Sequence, residues 1–234
     1  MTVRHESSEL ATVSVFADLD DAAQMQCARS ALRRLLFKGE PVFHQGDRPT
    51  RFHVLLSGWV RILQAGADGG LSVVRFVGPG EVFGSFALFT ERGYPADAIA
   101  AADAVELSWT EAQLRQLIDQ YPSIAMNLMA VAARRLADLQ ERVREISTQR
   151  AEPRIANALL RLARKGSEPR IDGGIEMLMP LARKDIAAMS ATTLHTASRT
   201  MSAWQRCGIL ASSRQRISII KPTELKRIGD GSDG

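Results

Sequence analysis

Residues 181–210 read LARKDIAAMSATTLHTASRTMSAWQRCGIL, and the rest of the chain is organised around them. Their spacing predicts two short helices and a tight turn. The first spans about Arg183 to Met189 and packs through Ile186, Ala187 and Met189. Ser190-Ala191-Thr192 breaks it. The second opens at Thr192 or Thr193, whose hydroxyl can accept from the free N–H groups of a first helical turn. Ala197, Met201 and Trp204 recur at intervals of four and three, so they share one face that should be buried. Leu194, His195, Ser198 and Arg199 fall on other faces and point outward.

An outward face of this kind suits a DNA major groove. Arg199 can donate two parallel hydrogen bonds to guanine O6 and N7. His195 and Ser198, with Thr196 between them, can reach neighbouring base edges, and Leu194 can touch a thymine methyl. Thr192, Thr193, Arg183 and Lys184 suit phosphates, which set position rather than sequence. The plainer reading is a helical hairpin with a charged surface, and the surrounding chain must decide between the two.

Charge is unevenly distributed. Of 30 Lys/Arg and 26 Asp/Glu, 15 and 8 fall in Thr148–Gly234, which leaves 15 and 18 for the front. A basic C-terminal third behind a mildly acidic remainder is the footprint of a nucleic-acid module joined to something else. A hydrophobic content of 45% and a charged content of 24% belong to a globular chain, and 234 residues allow one or two domains. No apolar run reaches the roughly 18 residues of a membrane span, and MTVRHESSELATVSVF has no secretory core, so no membrane partner and a cytoplasmic location are expected. Cys27 and Cys207 are too few and too far apart for a disulfide scaffold or metal knuckle.

In front of the quoted stretch the texture changes twice. A weak helix is expected around Ala22 to Leu32. From there to Trp109 the chain shows short apolar runs cut by turn residues: Leu32–Phe37, Pro41–Phe43, Phe52–Leu56, Trp59–Leu63, Leu71–Val77, Glu81–Phe83, Ala98–Ala101 and Ala104–Trp109. Short strands with Gly- and Asp-rich turns predict an antiparallel barrel or roll. A short helix follows Thr110. Ser123 to about Thr148 then runs without Gly or Pro, and Ala125, Met129, Ala132, Leu136, Leu139, Val143 and Ile146 alternate steps of four and three. That is the seam of a two-stranded coiled coil, flanked by Arg134, Arg135, Glu141, Arg142, Arg144 and Glu145, so a homodimer is expected. The alternative is a helix packed only on its own barrel.

Pro153 fits a first helical position, and Ile155, Leu159, Leu160 and Leu162 face the core of a helix that Gly166 stops. Ile175–Met179 is a candidate strand. After the two-helix unit, Ile209–Leu210, a Ser212–Arg216 turn and Ile217–Ile220 make a hairpin, with Arg214 and Arg216 placed at its tip for phosphate. The expected fold is α+β: a β-roll sensor domain over residues 1–110, a short helix and a long dimerisation helix over 111–148, and a winged helix-turn-helix over 149–234.

These pieces resemble the CRP/FNR family of bacterial transcription regulators over about Leu35 to Leu225. The resemblance rests on Gly39-Glu40, Gln45-Gly46-Asp47, Leu55-Leu56-Ser57-Gly58, Gly78-Pro79-Gly80-Glu81-Val82-Phe83-Gly84, Arg154-Ile155-Ala156 and the closing Ser198-Arg199. It implies a cyclic-nucleotide-binding-like roll, a palindromic operator on double-stranded DNA with half-sites about 34–36 Å apart, and RNA polymerase as a partner. Cyclic-nucleotide members follow the Phe-Gly turn with an acidic residue for the ribose and place an Arg for the phosphate. Here Ser85 replaces the acid, the Arg falls at Pro95, and Asp97 would repel a phosphate, so no cyclic AMP binding is expected. Iron–sulfur members need four thiolates, and this chain has two.

Gly93-Tyr94-Pro95-Ala96 and Leu194-His195-Thr196-Ala197-Ser198-Arg199 look like the nitric-oxide-responsive NnrR/DNR branch, which regulates denitrification and is thought to use haem. Of the four histidines, His195 lies in the reading helix, His44 abuts a turn, His5 is near the N-terminus, and His53 lies in an apolar strand. His53 is therefore the candidate haem ligand, against the reading of a core histidine hydrogen-bonded to protein. Cys207, beside Arg206 at the end of the reading helix, is either a redox-sensitive thiol or a small core residue. Cys27 carries only a core signal. No Gly-x-Ser-x-Gly, His-Glu-x-x-His or phosphate loop is present, so an enzyme is not expected. The closer rival is a FixK-type regulator with an empty roll.

Overall fold

The computed structural model describes residues 9–65, 70–90, 92–213 and 216–231. Two compact units form. One takes the described residues up to Ala65 together with Phe76–Asp138, and the other takes Leu139 onward with the short stretch ending at Arg75. The long helix is therefore shared between the units, and its C-terminal part belongs with the reading helices. His5 and Arg214 lie outside the described residues.

The first unit is built on the expected strands. After α1 (Asp21–Ser30) come β1 (Leu32–Leu36), β2 (Pro41–Phe43), β3 (Arg51–Ser57), β4 (Val60–Ala65), β5 (Leu71–Val77), β6 (Val82–Phe83), β7 (Asp97–Ala100) and β8 (Ala104–Thr110). They form two four-stranded sheets, ordered β1-β8-β3-β6 and β2-β7-β4-β5. Leu36, Leu55 and Phe83 from one sheet meet Phe43, Val60, Ala98 and Ala100 from the other in the interior of the roll. The outer face of the first sheet is covered as well. Phe52, Val54 and Trp109 pack there with Val15, Phe16 and Cys27, and with Leu114, Leu117, Ile124 and Leu128 of the helices that follow. Burial on both faces explains why Phe52–Leu55 reads as a continuous apolar run broken only by His53.

Local chemistry fixes the joints. Asp20 accepts the Ala23 N–H at 2.8 Å and starts α1. The Trp109 indole donates to the Cys27 carbonyl and the Ser30 hydroxyl, tying α1 to β8. Thr110 and Gln113 form a reciprocal capping box that opens α2 (Glu111–Gln120). Gly58 has φ +78°, and a Cβ there would lie 2.2 Å from the Asp103 carbonyl oxygen, so the β3–β4 turn admits only glycine. Between β6 and β7, Ser85–Phe89 form a 3-10 turn that the sequence pattern does not announce.

Helix α3 spans Ser123–Thr148, as its uninterrupted sequence predicts, and its 26 residues reach about 39 Å. In the second unit, α4 (Ala151–Lys165) buries Ile155, Leu159 and Leu162, while Leu160 is only half-buried. Pro153 sits in the first turn but not at its first position, because α4 already begins at Ala151. Four short strands form one sheet in the order β11-β12-β10-β9: β9 (Ser167–Pro169), β10 (Ile175–Met177), β11 (Leu210–Ser213) and β12 (Arg216–Ile219). Strand β10 stops two residues before the expected Met179. Strand β9 was not expected at all, because Ser-Glu-Pro has no strand pattern and forms only by pairing with β10. A further helix, α7 (Pro222–Gly229), packs on α4, where Asn157 Nδ2 donates to the Gly229 carbonyl at 3.0 Å.

Candidate nucleic-acid interface

The two predicted helices are present as α5 (Arg183–Met189) and α6 (Leu194–Arg206). Asp185, itself buried, accepts the Ala182 N–H at 2.9 Å and holds the start of α5. Thr193, not Thr192, caps α6 by accepting the Thr196 N–H at 3.1 Å. Ala197, Met201 and Trp204 are 0%, 1% and 3% exposed, so the inward face is as read from the spacing. The Trp204 indole N–H donates to Glu152 Oε1 at 3.1 Å, which anchors α6 to α4.

The turn between α5 and α6 is under strain and braced by arginines. Ala191 has φ +50°, the sole left-handed non-glycine among the described residues. Arg142 of α3 donates to the Met189 carbonyl, and Arg154 of α4 donates to the carbonyls of Ser190 and Ala191. Three consecutive carbonyls that α5 leaves open are thus satisfied by side chains from the helices behind it. Ala191 is exposed, so Ala191→Gly should relieve the strain and stabilise this unit by about 0.5–1 kcal/mol, read as a higher melting temperature. A melting temperature at or below wild type would show that the turn is not strained.

The outward face of α6 is open. Leu194 is 53% exposed, and His195 and Arg199 are exposed beside it. Ser198, Thr192 and Thr196 are half-buried, and Lys184 and Thr193 are exposed. The Thr193 hydroxyl donates to that of Thr196 at 2.9 Å, so these two groups are partly committed to the cap. At the wing, the Arg216 side chain is 77% exposed and lies 3.5 Å from Glu176. Arg183 departs from expectation. Its guanidinium is bonded within the fold, to Ser198, Ser202 and Gln205 of α6, instead of standing free for phosphate.

On α3 the predicted seam is bare in the single chain. Met129, Leu136, Leu139, Val143 and Ile146 are 64%, 57%, 55%, 64% and 46% exposed, with Ala125 and Ala132 half-buried between them. The flanking charges are not all solvated: Glu145 is 4% exposed and is held by Arg161 of α4 through contacts of 2.6 and 2.8 Å.

Residues 33–121 match the cyclic nucleotide-binding domain, and residues 153–228 match the Crp-like helix-turn-helix domain. The cyclic AMP receptor protein of Thermus thermophilus is 31% identical over 199 residues, which cover 85% of this chain and 88% of that protein. The chain belongs to the CRP/FNR family of transcription regulators. It carries that family's helix-turn-helix and is not an enzyme. Another similar member is the nitrogen fixation regulation protein FixK of Bradyrhizobium diazoefficiens, 28% identical over 214 residues, covering 89% of this chain and 86% of that one. The solved FixK2 structure from Bradyrhizobium japonicum shares the fold, with a TM-score of 0.72 at 24% identity over 85% of this chain and 96% of that one. No helix among the described residues is long and apolar enough to cross a membrane.

In this CRP/FNR member the interior of the roll is packed around His53. Its Nδ1 lies 3.1 Å from Glu106 Oε2, and its Nε2 lies 3.5 Å from the Tyr94 hydroxyl. His53 and Glu106 are 4% and 1% exposed. Tyr94 stacks on Phe43 at 3.7 Å, and Phe83 lies 5.1 Å from the imidazole. Burial is the first cause that raises the Tyr94 phenol above its usual range, so it stays protonated and able to donate. These residues do not fit a haem ligated by His53. The Glu106 contact on Nδ1 would suit a ligand, but Nε2, the nitrogen left for iron, faces the Tyr94 hydroxyl, and the Phe43–Tyr94 stack would have to open to admit a macrocycle. Glu106 had no sequence signal, since it lies 53 residues away on a neighbouring strand. The Ser85 hydroxyl is buried without a hydrogen-bond partner among the described residues. Asp97 accepts the Gln45 N–H at 2.7 Å.

The two thiols differ. Cys27 is fully buried, and burial pushes its thiol up to about 11, which leaves it unreactive at neutral pH. Cys207 is exposed just past the end of α6, so its expected alternative as a core residue is overturned.

Proposed function

We propose that this chain acts as a homodimer that reads a palindromic operator, one α6 per half-site, and that its targets are denitrification or nitric-oxide-response genes. The observation that carries the dimer is the bare stripe from Met129 to Ile146. Five large apolar side chains at coiled-coil spacing make no sense in water on a helix that also serves the DNA-reading unit. A second copy of the same helix covers them. Two reading helices then meet two half-sites, and RNA polymerase is the partner that the bound dimer would engage.

The reading of targets rests on the sequence of α6. His195, Ser198 and Arg199 make its base-facing set, and this combination resembles the nitric-oxide branch. Arg199→Ala is expected to weaken operator binding by about 1–3 kcal/mol and to relax preference at one base pair. Equal losses on operator and random DNA would show that Arg199 touches only phosphate.

Cyclic AMP is not the proposed signal, although a similar protein is a cyclic AMP receptor. Ser85 has no charge to hold a ribose, Pro95 offers no cation to a phosphate, and Asp97 adds a negative charge nearby. Titration calorimetry should show no micromolar binding, and such binding would refute this point. A second reading has its own support: a FixK-type regulator whose roll takes no ligand. The packed His53–Tyr94–Phe43 cluster and the FixK relatives favour it. Selection of bound sequences from random DNA, under nitric oxide and under argon, separates the two. A change in affinity between the gases supports the nitric-oxide reading, and identical binding supports the FixK-type one.

A further inference from the structure

We infer that Arg183 is a positioning residue that sets the rotation of the reading helix, and through it the choice of bases, without itself contacting DNA. The inference rests on the proposal that α6 reads an operator. Arg183 Nη1 donates to the Ser198 carbonyl at 3.1 Å and to the Ser202 hydroxyl at 2.8 Å, while Nη2 donates to Gln205 Oε1 at 2.8 Å. The Ser198 acceptor is a backbone carbonyl, which points one turn onward to Ser202, so all three acceptors gather where the Ser202 and Gln205 side chains meet the guanidinium, and the Ser198 side chain is left free. One side chain of α5 therefore grips the reading helix at three points.

Apart from that grip, both helices bury apolar side chains: Ile186, Ala187 and Met189 on α5, and Ala197, Met201 and Trp204 on α6. Apolar burial is non-directional, and two alanines in that set leave room for the helices to roll. Directional bonds remove that freedom. At the roughly 6 Å radius of helix side chains, a 20° roll moves a tip by about 2 Å, more than a bidentate arginine–guanine pair tolerates. The grip at Ser198 is adjacent in sequence to Arg199, where an error in rotation matters most. The fork geometry is essential here: a lysine carries the charge but cannot hold the three acceptors in a plane.

A phosphate contact and a positioning role differ in salt dependence. Each phosphate neutralised adds about 0.9 to the slope of log K against log salt, whatever the sequence. The test is binding of wild type, Arg183→Lys and Arg183→Ala to the selected operator and to random DNA across a salt series. Arg183→Lys should lose about 10- to 100-fold on the operator, stay within about twofold on random DNA, and keep the wild-type slope. Arg183→Ala should lose operator preference with the slope again unchanged. The double variant Ser202→Ala/Gln205→Ala removes two acceptors and leaves Arg183 in place. It should show the same loss of preference, which keeps the question decidable if Arg183→Ala does not fold. A slope lower by about one on both DNAs, or wild-type discrimination in Arg183→Lys, would overturn the inference. A wild-type protein that prefers no sequence would instead overturn the operator reading beneath it.

Discussion

Leu136→Glu/Leu139→Glu should turn a dimer into a monomer at micromolar concentration and abolish operator binding. The two leucines are 57% and 55% exposed in the single chain, so they contribute little to its own fold. In a dimer four of them meet across the helix pair. Burying an exposed leucine fully is worth about 1.5–3 kcal/mol, and half of that for each of four gives about 3–6 kcal/mol. The four introduced carboxylates also repel one another. Dissociation should therefore strengthen by two to four orders of magnitude at least, since each 1.4 kcal/mol is tenfold. Sedimentation should show half the wild-type mass, with helix content and melting temperature close to wild type. A variant that remains dimeric would place the interface elsewhere.

Trp204→Ala should destabilise the DNA-reading unit by about 3–5 kcal/mol, the usual cost of deleting a buried indole. Its ring is 3% exposed in the core that joins α6 to α4, and its N–H satisfies Glu152. The alanine variant loses both, whereas Trp204→Phe keeps most of the volume and should cost far less. Hydrogen exchange resolves the effect by region. Amides of α5 and α6 should lose protection, while β3 and β8 of the roll, which belong to the other unit, should keep theirs. Uniform loss of protection in both units would contradict the division of the chain.

Much of this was legible in advance, and the reasons differ by element. The bounds of α3 could be read from sequence because 26 residues without Gly or Pro leave a regular seam nothing to compete with. The strands of the roll follow their apolar runs because Gly and Asp turns punctuate each one. The faces of α6 follow from three residues, Ala197, Met201 and Trp204, large enough or small enough to declare burial. What was missed depends on distant partners. Strand β9 exists only by pairing with β10. Helix α7 is eight residues long and gives too short a pattern. Arginines mislead most, since their long side chains look solvated in any sequence. Arg142, Arg154 and Arg183 instead turn inward to backbone and side-chain acceptors, and that inward set holds the reading helices in place.

Central to the function proposed for this chain is a pair of reading helices, one from each copy, held one duplex repeat apart. The most direct test inserts about five base pairs, half of the roughly 10.5-base-pair repeat, between the half-sites of the selected operator. The second half-site then turns to the far side of the duplex. Affinity should fall to that of a single half-site, close to random DNA. Unchanged affinity for the lengthened operator would mean that one chain reads its site alone.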